Sequence, residues 1–317
     1  MKLEGIHHVT AITGDAPGNV EFYSGVLGLR LVKKSVNQDD PTVYHLFYGD
    51  EQGSPGADLT FFEYPHAARG SAGAGMVHRI VWRVASGEAV DFWSERLGAH
   101  GTSVRAGDGH LLFADPEGLM HELVVAVSGD EPLSATAAGI PNEYALQGFA
   151  GVRAYSADPR RSEQLLAGTL GFTPSEGRPG EARSWEVRGE RRGSFYDYDS
   201  PPAGVDPFQG AGTVHHVAFA ARPEDEEPWR MRLLQAGVRP TPVIDRFYFR
   251  SVYFREPSGV LMEIATIGPG FAVDEDASHL GERLSLPPRF ESLRERLEAT
   301  LTPLPSTAPA GVDRGGS

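Results

Sequence analysis

The tripeptide His-His-Val occurs twice in this chain, each time near the start of a segment with the pattern of a β-strand. It lies in GIHHVTAIT at residues 5–13 and again in GTVHHVAFA at residues 212–220. Similarity between segments so far apart indicates an internal repeat, and a repeat constrains the fold of the whole chain more than any local pattern does.

Four copies of one unit can be recognised, and each is predicted to contain a strand, a helix and two or three further strands. The first strands of these modules lie at 6–12, 76–84, 148–156 and 213–221. Modules two and four match best, because DPEGLMHELV (115–124) aligns with EPSGVLMEIA (256–265), which pairs Glu122 with Glu263. The pattern predicts an α+β fold of four βαβββ modules.

Turn-forming and small residues divide the chain into domains. The segment VSGDEPLSATAAGIPNEYAL separates modules two and three. We therefore predict an N-terminal domain at 1–130 and a C-terminal domain at 145–268, followed by an extension at 269–302. The last stretch, 303–317, is rich in Pro, Gly and Ser and is expected to be a disordered tail.

Charge and composition narrow the class of ligand. The formal net charge of −14 disfavours nucleic acid and anionic membrane as partners, because both are bound by basic surfaces. A small molecule is the expected ligand. The N-terminus has no apolar leader-type segment and no run of about 18 apolar residues occurs, so we expect a cytoplasmic protein; a homo-oligomer is left open. Because there is no Cys, any metal must be held by His and carboxylates.

The alternation of side chains along a strand predicts which histidine of each pair faces a cavity. In module four the large apolar side chains share a face with His215, whereas His216 shares a face with small residues. A helix covers the large apolar face, so the other face can line a cavity. This assigns His8 and His216 to the cavity and leaves His7 beneath the helix or at the opposite surface.

Glu263 lies between apolar neighbours in the last strand of module four, and a half-buried carboxylate there needs a cation or hydrogen bonds. Two imidazoles and one carboxylate are a set that binds iron(II) on one face and leaves three positions open. His8, His216 and Glu263 are therefore the predicted ligands. The alternative for each histidine taken alone is a hydrogen-bonded core residue.

The other two modules cannot supply such ligands, since Arg79 and Gly151 stand at the matching positions. Modules one and four must then lie side by side to share one ion. For Glu122 a salt bridge with Arg79 is the simpler interpretation. Glu63 is a candidate fourth ligand, with a surface role as the alternative. The remaining histidines show no such spacing and are expected to be structural or exposed: His45, His66, His100, His110 and His121.

The sequence resembles the vicinal oxygen chelate superfamily, which includes glyoxalase I, bleomycin-resistance proteins and type I extradiol dioxygenases. It is most similar there to bacterial ring-cleaving dioxygenases that act on hydroquinones. The motifs that carry the resemblance cover nearly the whole chain to about residue 300: GIHHVTAITGDAPGNVEFYSGVLGLRLVKKSVNQDDPTVYHLFYGDEQGSPG, GAGTVHHVAFA, PVIDRFYFRSVYFREPSGVLMEIAT and PGFAVDEDASHLGERLSLPP. The resemblance implies two curved mixed sheets with helices on their outer faces. It also implies iron(II) at His8, His216 and Glu263.

The resemblance further implies catalytic roles beside the metal for Tyr253 in SVYF and Arg246 in IDRFYF. Tyr253 would act as an acid or hydrogen-bond donor, and Arg246 would stabilise negative charge on a bound aromatic. The alternatives are a packed aromatic for Tyr253, and for Arg246 a salt bridge to Asp245 or another acid. One departure stands out, since Phe247 follows Arg246 where related sequences commonly carry Asn.

The function implied is an iron(II)-dependent extradiol-type dioxygenase that opens the ring of a hydroquinone or related dihydroxylated aromatic with O2; manganese(II) is the alternative metal. Two other functions fit the same fold. A glyoxalase-type isomerase or lyase would need a set of ligands richer in carboxylates. A metal-free drug-binding protein would need no such ligands.

Overall fold

The structure is a computed structural model that describes residues 1–126, 128–175 and 183–306. Its strands form two curved, mixed sheets of eight strands each. Each sheet joins two modules through an antiparallel pair of their first strands. This is the α+β architecture of four modules that the sequence predicted.

The first sheet combines modules one and four. Its strand order is β14-β15-β16-β13-β1-β4-β3-β2. Module one contributes β1 (Ile6–Thr13), β2 (Arg30–Val36), β3 (Tyr44–Gly49) and β4 (Asp58–Glu63), and module four contributes β13 (Thr213–Ala221), β14 (Ile244–Asp245), β15 (Arg250–Arg255) and β16 (Leu261–Thr266).

The second sheet combines modules two and three in the order β10-β11-β12-β9-β5-β8-β7-β6. Module two contributes β5 (Val77–Val84), β6 (Val104–Gly107), β7 (His110–Ala114) and β8 (Met120–Val125), and module three contributes β9 (Phe149–Tyr155), β10 (Thr173–Ser175), β11 (Arg183–Arg188) and β12 (Gly193–Asp199). The sheets therefore pair modules across the predicted boundary at 127–146, and the bounds of the two domains stay a prediction.

The helices are few and short. They are α1 (Ala16–Val20), α2 (Gly87–Ala99), α3 (Glu226–Gln235) and α4 (Arg294–Thr300). The α1 helix continues as a π-helical turn, Glu21–Val26, and module three has a matching π-helical turn at Gln164–Thr169. Ser86 caps the start of α2 by accepting from the Ala89 amide. Among the described residues no helix is long and apolar enough to cross a membrane.

The extension after β16 is anchored by a buried lysine. The Nζ of Lys33 donates to the Phe271 carbonyl at 3.0 Å and to Asp274 at 2.8 Å, and it also pairs with Glu275. A buried ammonium is tolerated when it is paired and hydrogen-bonded in this way. The extension is thus held against β2. Of the predicted tail at 303–317, residues 307–317 lie outside the described part of the chain.

Candidate metal centre

Three side chains predicted from the sequence converge at the seam between modules one and four. The Nε2 of His8 lies 3.2 Å from the Nε2 of His216 and 3.2 Å from Oε2 of Glu263. The Nε2 of His216 lies 2.9 Å from the same Oε2. All three residues are buried. Two modules separated by more than half the chain therefore build one site.

The strand register explains why the three groups meet. Ala218 of β13 pairs directly with His8 of β1 on one side and with Glu263 of β16 on the other. His216 precedes Ala218 by two residues and shares its face of the sheet. Because the side chain of Ala218 is a single methyl group, the space in front of it is open to the three larger groups.

The spacing of these atoms fits a divalent cation. Ligand atoms about 2.1 Å from an ion, at adjacent octahedral positions, are separated by about 3 Å. Within the described part of the chain, the partners of the Glu263 carboxylate are the two imidazoles, whose Nε2 atoms lie 3.2 and 2.9 Å from its Oε2. The three groups thus point toward a common centre. That is the arrangement expected of a metal site.

The preceding histidines orient the two imidazoles. The Nε2 of His7 lies 3.2 Å from the Thr266 carbonyl, to which it donates, and burial lowers the pKa of His7 to about 3. A neutral His7 with its proton on Nε2 has an acceptor at Nδ1. The Nδ1 of His8, 3.0 Å away, must therefore donate, which leaves the lone pair of His8 Nε2 directed at the centre.

Module four repeats this contact. The Nδ1 atoms of His215 and His216 are 2.8 Å apart. Burial lowers the pKa of His215 to about 3 and also lowers the pKa of His216, so both rings are neutral near pH 7. Burial alone would raise the pKa of Glu263, but interactions with His8 and His216 hold it well below its usual value. A divalent ion would bind this carboxylate together with the unprotonated form of each imidazole.

An aromatic cavity of about 30 Å³ opens beside the two imidazoles. Its lining is His8, Thr10, Asn37, Gln38, Asp39, His45, Phe47, Phe62, His216, Arg246, Tyr248, Phe249 and Tyr253. The volume suffices for about one water molecule, so an aromatic ring must displace side chains at the mouth. A larger cavity of about 260 Å³ is also lined by His215 and His216, but its lining contains no Phe, Tyr or Trp.

Tyr253 stands beside the centre as a direct cross-strand neighbour of Glu263. Its ring lies edge-on to His216, with 5.6 Å between ring centroids. The Nε of Arg246 donates to the Tyr253 hydroxyl at 3.3 Å. Burial, followed by the charge of Glu263, raises the pKa of Tyr253 above its usual value, so its hydroxyl keeps the proton at neutral pH.

Arg246 forms its salt bridge with Asp39, not with the adjacent Asp245. Its two Nη atoms donate to the carboxylate of Asp39 at 3.1 and 3.0 Å. Gln38 donates to the backbone carbonyl of Arg246 at 2.6 Å. Hydrogen bonds and a salt bridge thus connect the loop after β2 to the loop after β14 beside the cavity. Sequence reasoning missed Asp39, because its partner lies 207 residues away on another loop.

His45 was expected to be structural or exposed, and the structure places it in the cavity wall. Its Nε2 lies 2.9 Å from the Thr60 hydroxyl, which in turn is 2.8 Å from that of Thr10. The alternation of β3 puts His45 on the same face as Phe47, and that signal could have identified it. His121 is buried elsewhere, against Tyr23.

The remaining candidates lie apart from the centre. Glu122 forms the expected salt bridge with Arg79, at 3.0 Å, in the second sheet. Glu63 ends β4 and is not part of the group of converging ligands. Phe247 has a φ of +71°, a conformation that Asn adopts far more readily than Phe. Phe247 therefore stands at a backbone position that favours Asn, the residue that related sequences commonly carry there.

Comparisons with known proteins identify the family of the chain. The family model described as "Glyoxalase/Bleomycin resistance protein/Dioxygenase superfamily" matches residues 5–123 and 148–264. The chain is 41% identical to "Putative ring-cleaving dioxygenase MhqA" of Bacillus subtilis, over 96% of this chain and 100% of that protein. It is 30% identical to "Chlorohydroquinone/hydroquinone 1,2-dioxygenase" of Sphingobium indicum, over 95% of this chain and 96% of that protein.

Solved structures show the same fold. A crystal structure titled as a "putative dioxygenase" from Bacillus subtilis superimposes with a TM-score of 0.90 at 38% identity, covering 96% of this chain and 98% of that one. Glyoxalase I from Zea mays superimposes with a TM-score of 0.60 at 14% identity, covering 83% and 92%. The second likeness concerns the fold alone. The chain is a member of the glyoxalase/bleomycin resistance protein/dioxygenase superfamily.

Proposed function

We propose that this protein is a metal-dependent dioxygenase that opens the ring of hydroquinones or related dihydroxylated aromatics with O2. The observation that carries the proposal is the convergence of His8, His216 and Glu263 beside an aromatic cavity. The relatives named as ring-cleaving dioxygenases support the reaction, and the relative named as a hydroquinone 1,2-dioxygenase supports the substrate class.

The proposed metal is iron(II), with manganese(II) as the alternative. Two neutral imidazoles and one carboxylate suit a divalent ion of this kind and leave coordination positions for small ligands. When bound, the ion supplies a Lewis acid that lowers the pKa of a phenolic hydroxyl and a redox centre between the ring and dioxygen. The protein's own contribution is to place the ring, exclude water and handle the protons.

The cavity walls can hold a planar ring against the two imidazoles. Phe249 packs on His8, with 5.1 Å between ring centroids, and His45 packs on Phe47 at 3.9 Å. Aromatic walls favour a planar ring through offset and edge contacts. They also keep water away from the reacting carbons, which strengthens electrostatic interactions at the site.

Tyr253 is the proposed proton donor to a substrate oxygen. Because Arg246 donates to the oxygen of this hydroxyl, the Tyr253 proton is free to point into the cavity. Its raised pKa keeps that proton in place until a stronger base forms on the substrate. Arg246 is itself held by Asp39, so its positive charge stays close to the developing negative charge.

The test is oxygen uptake by protein loaded anaerobically with iron(II) and offered hydroquinone, catechol and a hemithioacetal in parallel. We expect one O2 consumed per hydroquinone and loss of the aromatic absorbance. Isomerisation of the hemithioacetal without oxygen uptake would instead support the glyoxalase-type function. Tight binding of an aromatic drug with no metal requirement would support the metal-free binding protein. Metal-free protein serves as the control in all three assays.

A further inference from the structure

The side chain of Asp58 is fully buried next to the metal centre and has no hydrogen bond within the described part of the chain. Its exposed fraction is 0%, and neither carboxylate oxygen has a partner. Asp58 begins β4 and pairs directly with His8 on β1. It also forms a compact group with His7 and His8, in which one potential ligand atom from each residue lies within 4.8 Å of the others.

Such a group needs compensation from outside the protein's own hydrogen bonds. Burial raises the pKa of Asp58 well above its usual value, because an ionised carboxylate in a dry interior is strongly unfavourable. Buried charges in folded proteins are paired or lie beside metal ions, so the ionised form of Asp58 needs a cation nearby. The nearest built site for a cation is the triad that shares His8 with this group. The isolation of Asp58 is therefore explained if its counter-charge is the bound ion.

Charge counting supports the same conclusion. A divalent ion held by two neutral imidazoles and the Glu263 carboxylate leaves one net positive charge in a buried site. A second carboxylate close to His8 makes the centre neutral, and interactions between charges are strong where the dielectric is low. Asp58 is the only other acid in the described groups of potential metal ligands.

Modules two and three carry no acid at this position. In module two, Met120 pairs with Arg79, which stands in the place of His8. In module three, Phe195 pairs with Gly151. The buried acid thus occurs in module one, where the partner residue on the neighbouring strand is a proposed metal ligand, and not in the two modules that hold no ligand.

We propose that Asp58 is the second anion of the metal centre. From its place beside His7 and His8 it balances the charge of the ion and helps to retain it, without binding it directly. This inference rests on the proposed metal-dependent function and assigns Asp58 as a positioning residue. Carboxylates that support a ligating histidine from behind typically change metal affinity by about 10- to 100-fold.

The test is metal affinity, which does not depend on turnover. Cobalt(II) is titrated into metal-free native protein and into Asp58→Asn, and both the dissociation constant and the visible spectrum are recorded. We expect the dissociation constant to rise about 10- to 100-fold, with an unchanged spectrum because the three ligands are the same. The metal-free variant should unfold at the same temperature as the native protein or higher, since an unpaired buried acid has been removed.

Glu63→Gln is the matched control, because it removes a buried acid from the other end of the same strand. It should leave cobalt(II) affinity unchanged. Asp58→Ser provides a second variant if the asparagine is poorly accommodated, and it should weaken binding to a similar degree. An unchanged cobalt(II) affinity in a folded Asp58 variant would overturn the inference, because Asp58 would then not help to retain the ion.

A different position for the ion would also overturn it. If the ion lies among His7, His8 and Asp58, then His216→Ala would retain cobalt(II) and Asp58→Asn would change the spectrum. Failure of the proposed function gives another pattern. In that case cobalt(II) binds and depends on Asp58, yet the iron(II)-loaded native protein consumes no oxygen with any aromatic substrate.

Discussion

The two sheets are built from the same repeated unit, but they accommodate their buried acids differently. In the first sheet two imidazoles converge with Glu263 on a common centre, and Asp58 beside them has no hydrogen-bond partner among the described residues. In the second sheet the corresponding acid, Glu122, is paired with Arg79. Glu263 and Glu122 therefore occupy equivalent positions of the repeat. They differ in whether an arginine neutralises the carboxylate.

The second sheet uses polar groups to hold itself together. His78 bonds to Asp199 at 2.8 Å and stacks on Tyr155, with 3.7 Å between ring centroids. Arg153 donates to both oxygens of the same Asp199, at 2.9 and 2.6 Å. A Cβ added to Gly151 would meet the ring of Phe195. In the second sheet, ion pairs and aromatic packing occupy the region that corresponds to the proposed ligand site of the first sheet.

The largest expected effect comes from removing a ligand of the first sheet. His216→Ala deletes one of three groups that hold the ion, so iron(II) should be lost or weakly bound and turnover should fall to near background. The fold should survive, because the side chain faces a cavity. Metal content and oxygen uptake provide the measurement. Full activity in this variant would contradict the comparison, since the first sheet would then have no catalytic role that the second sheet lacks.

The next effect concerns a hydroxyl that does not hold the ion. Tyr253→Phe keeps the ring beside His216 and removes the proposed proton donor, so turnover should fall by roughly 10² to 10⁴ while iron(II) stays bound. Tyr155→Phe in the second sheet is the matched control and should leave turnover unchanged. Oxygen uptake equal to native in Tyr253→Phe would reduce Tyr253 to a packing residue.

A smaller effect is expected at the cavity mouth. Asp39→Asn weakens the ion pair with Arg246, and since this carboxylate is largely exposed we expect a change of only about 1.5- to 5-fold in kcat/KM. Asp40→Asn is the control, because the carboxylate of Asp40 accepts hydrogen bonds from Thr42 within its own turn. Equal kcat/KM values for the two variants would remove Asp39 from any role.

The contribution of the Arg246–Asp39 ion pair should depend on pH only under acidic conditions. Hydrogen bonds from Arg246 lower the pKa of Asp39 below its usual value. A carboxylate with a depressed pKa contributes stability above its unfolded-state pKa of about 3.9, and that contribution is lost as pH falls through the lower folded value. The ratio of native to Asp39→Asn activity should therefore be constant from about pH 5 to pH 8. A ratio that changes steadily across this range would indicate another titrating group.

The smallest effect on turnover belongs to the second sheet. Glu122→Gln should leave iron(II) content and kcat/KM unchanged and should lower the free energy of unfolding by about 1 to 3 kcal/mol, because a neutral amide replaces the buried carboxylate that pairs with Arg79. Denaturant unfolding and oxygen uptake check both parts. A loss of bound metal would show that the second sheet also takes part in binding.

Sequence patterns predicted the centre because its three residues occupy equivalent places in repeated strands. The spacing of His8, His216 and Glu263 from the start or end of a module, with side-chain alternation, was enough to place all three on one face. The same reasoning could not reach Asp39, whose partner is set by how two loops approach each other. Asp58 could be recognised only from the structure. The strand register shows that it lies opposite His8, and its carboxylate has no hydrogen bond among the described residues.

The seam between β1 and β13 also has a consequence for how the protein is made. His8 and His216 are 208 residues apart, so a growing chain carries the first ligand long before the second has been synthesised. Domains tend to fold as they leave the ribosome, but no early fragment of this chain contains the full set of ligands. The proposed metal centre can therefore assemble only once module four is complete, and an interrupted chain lacks the full set of proposed ligands.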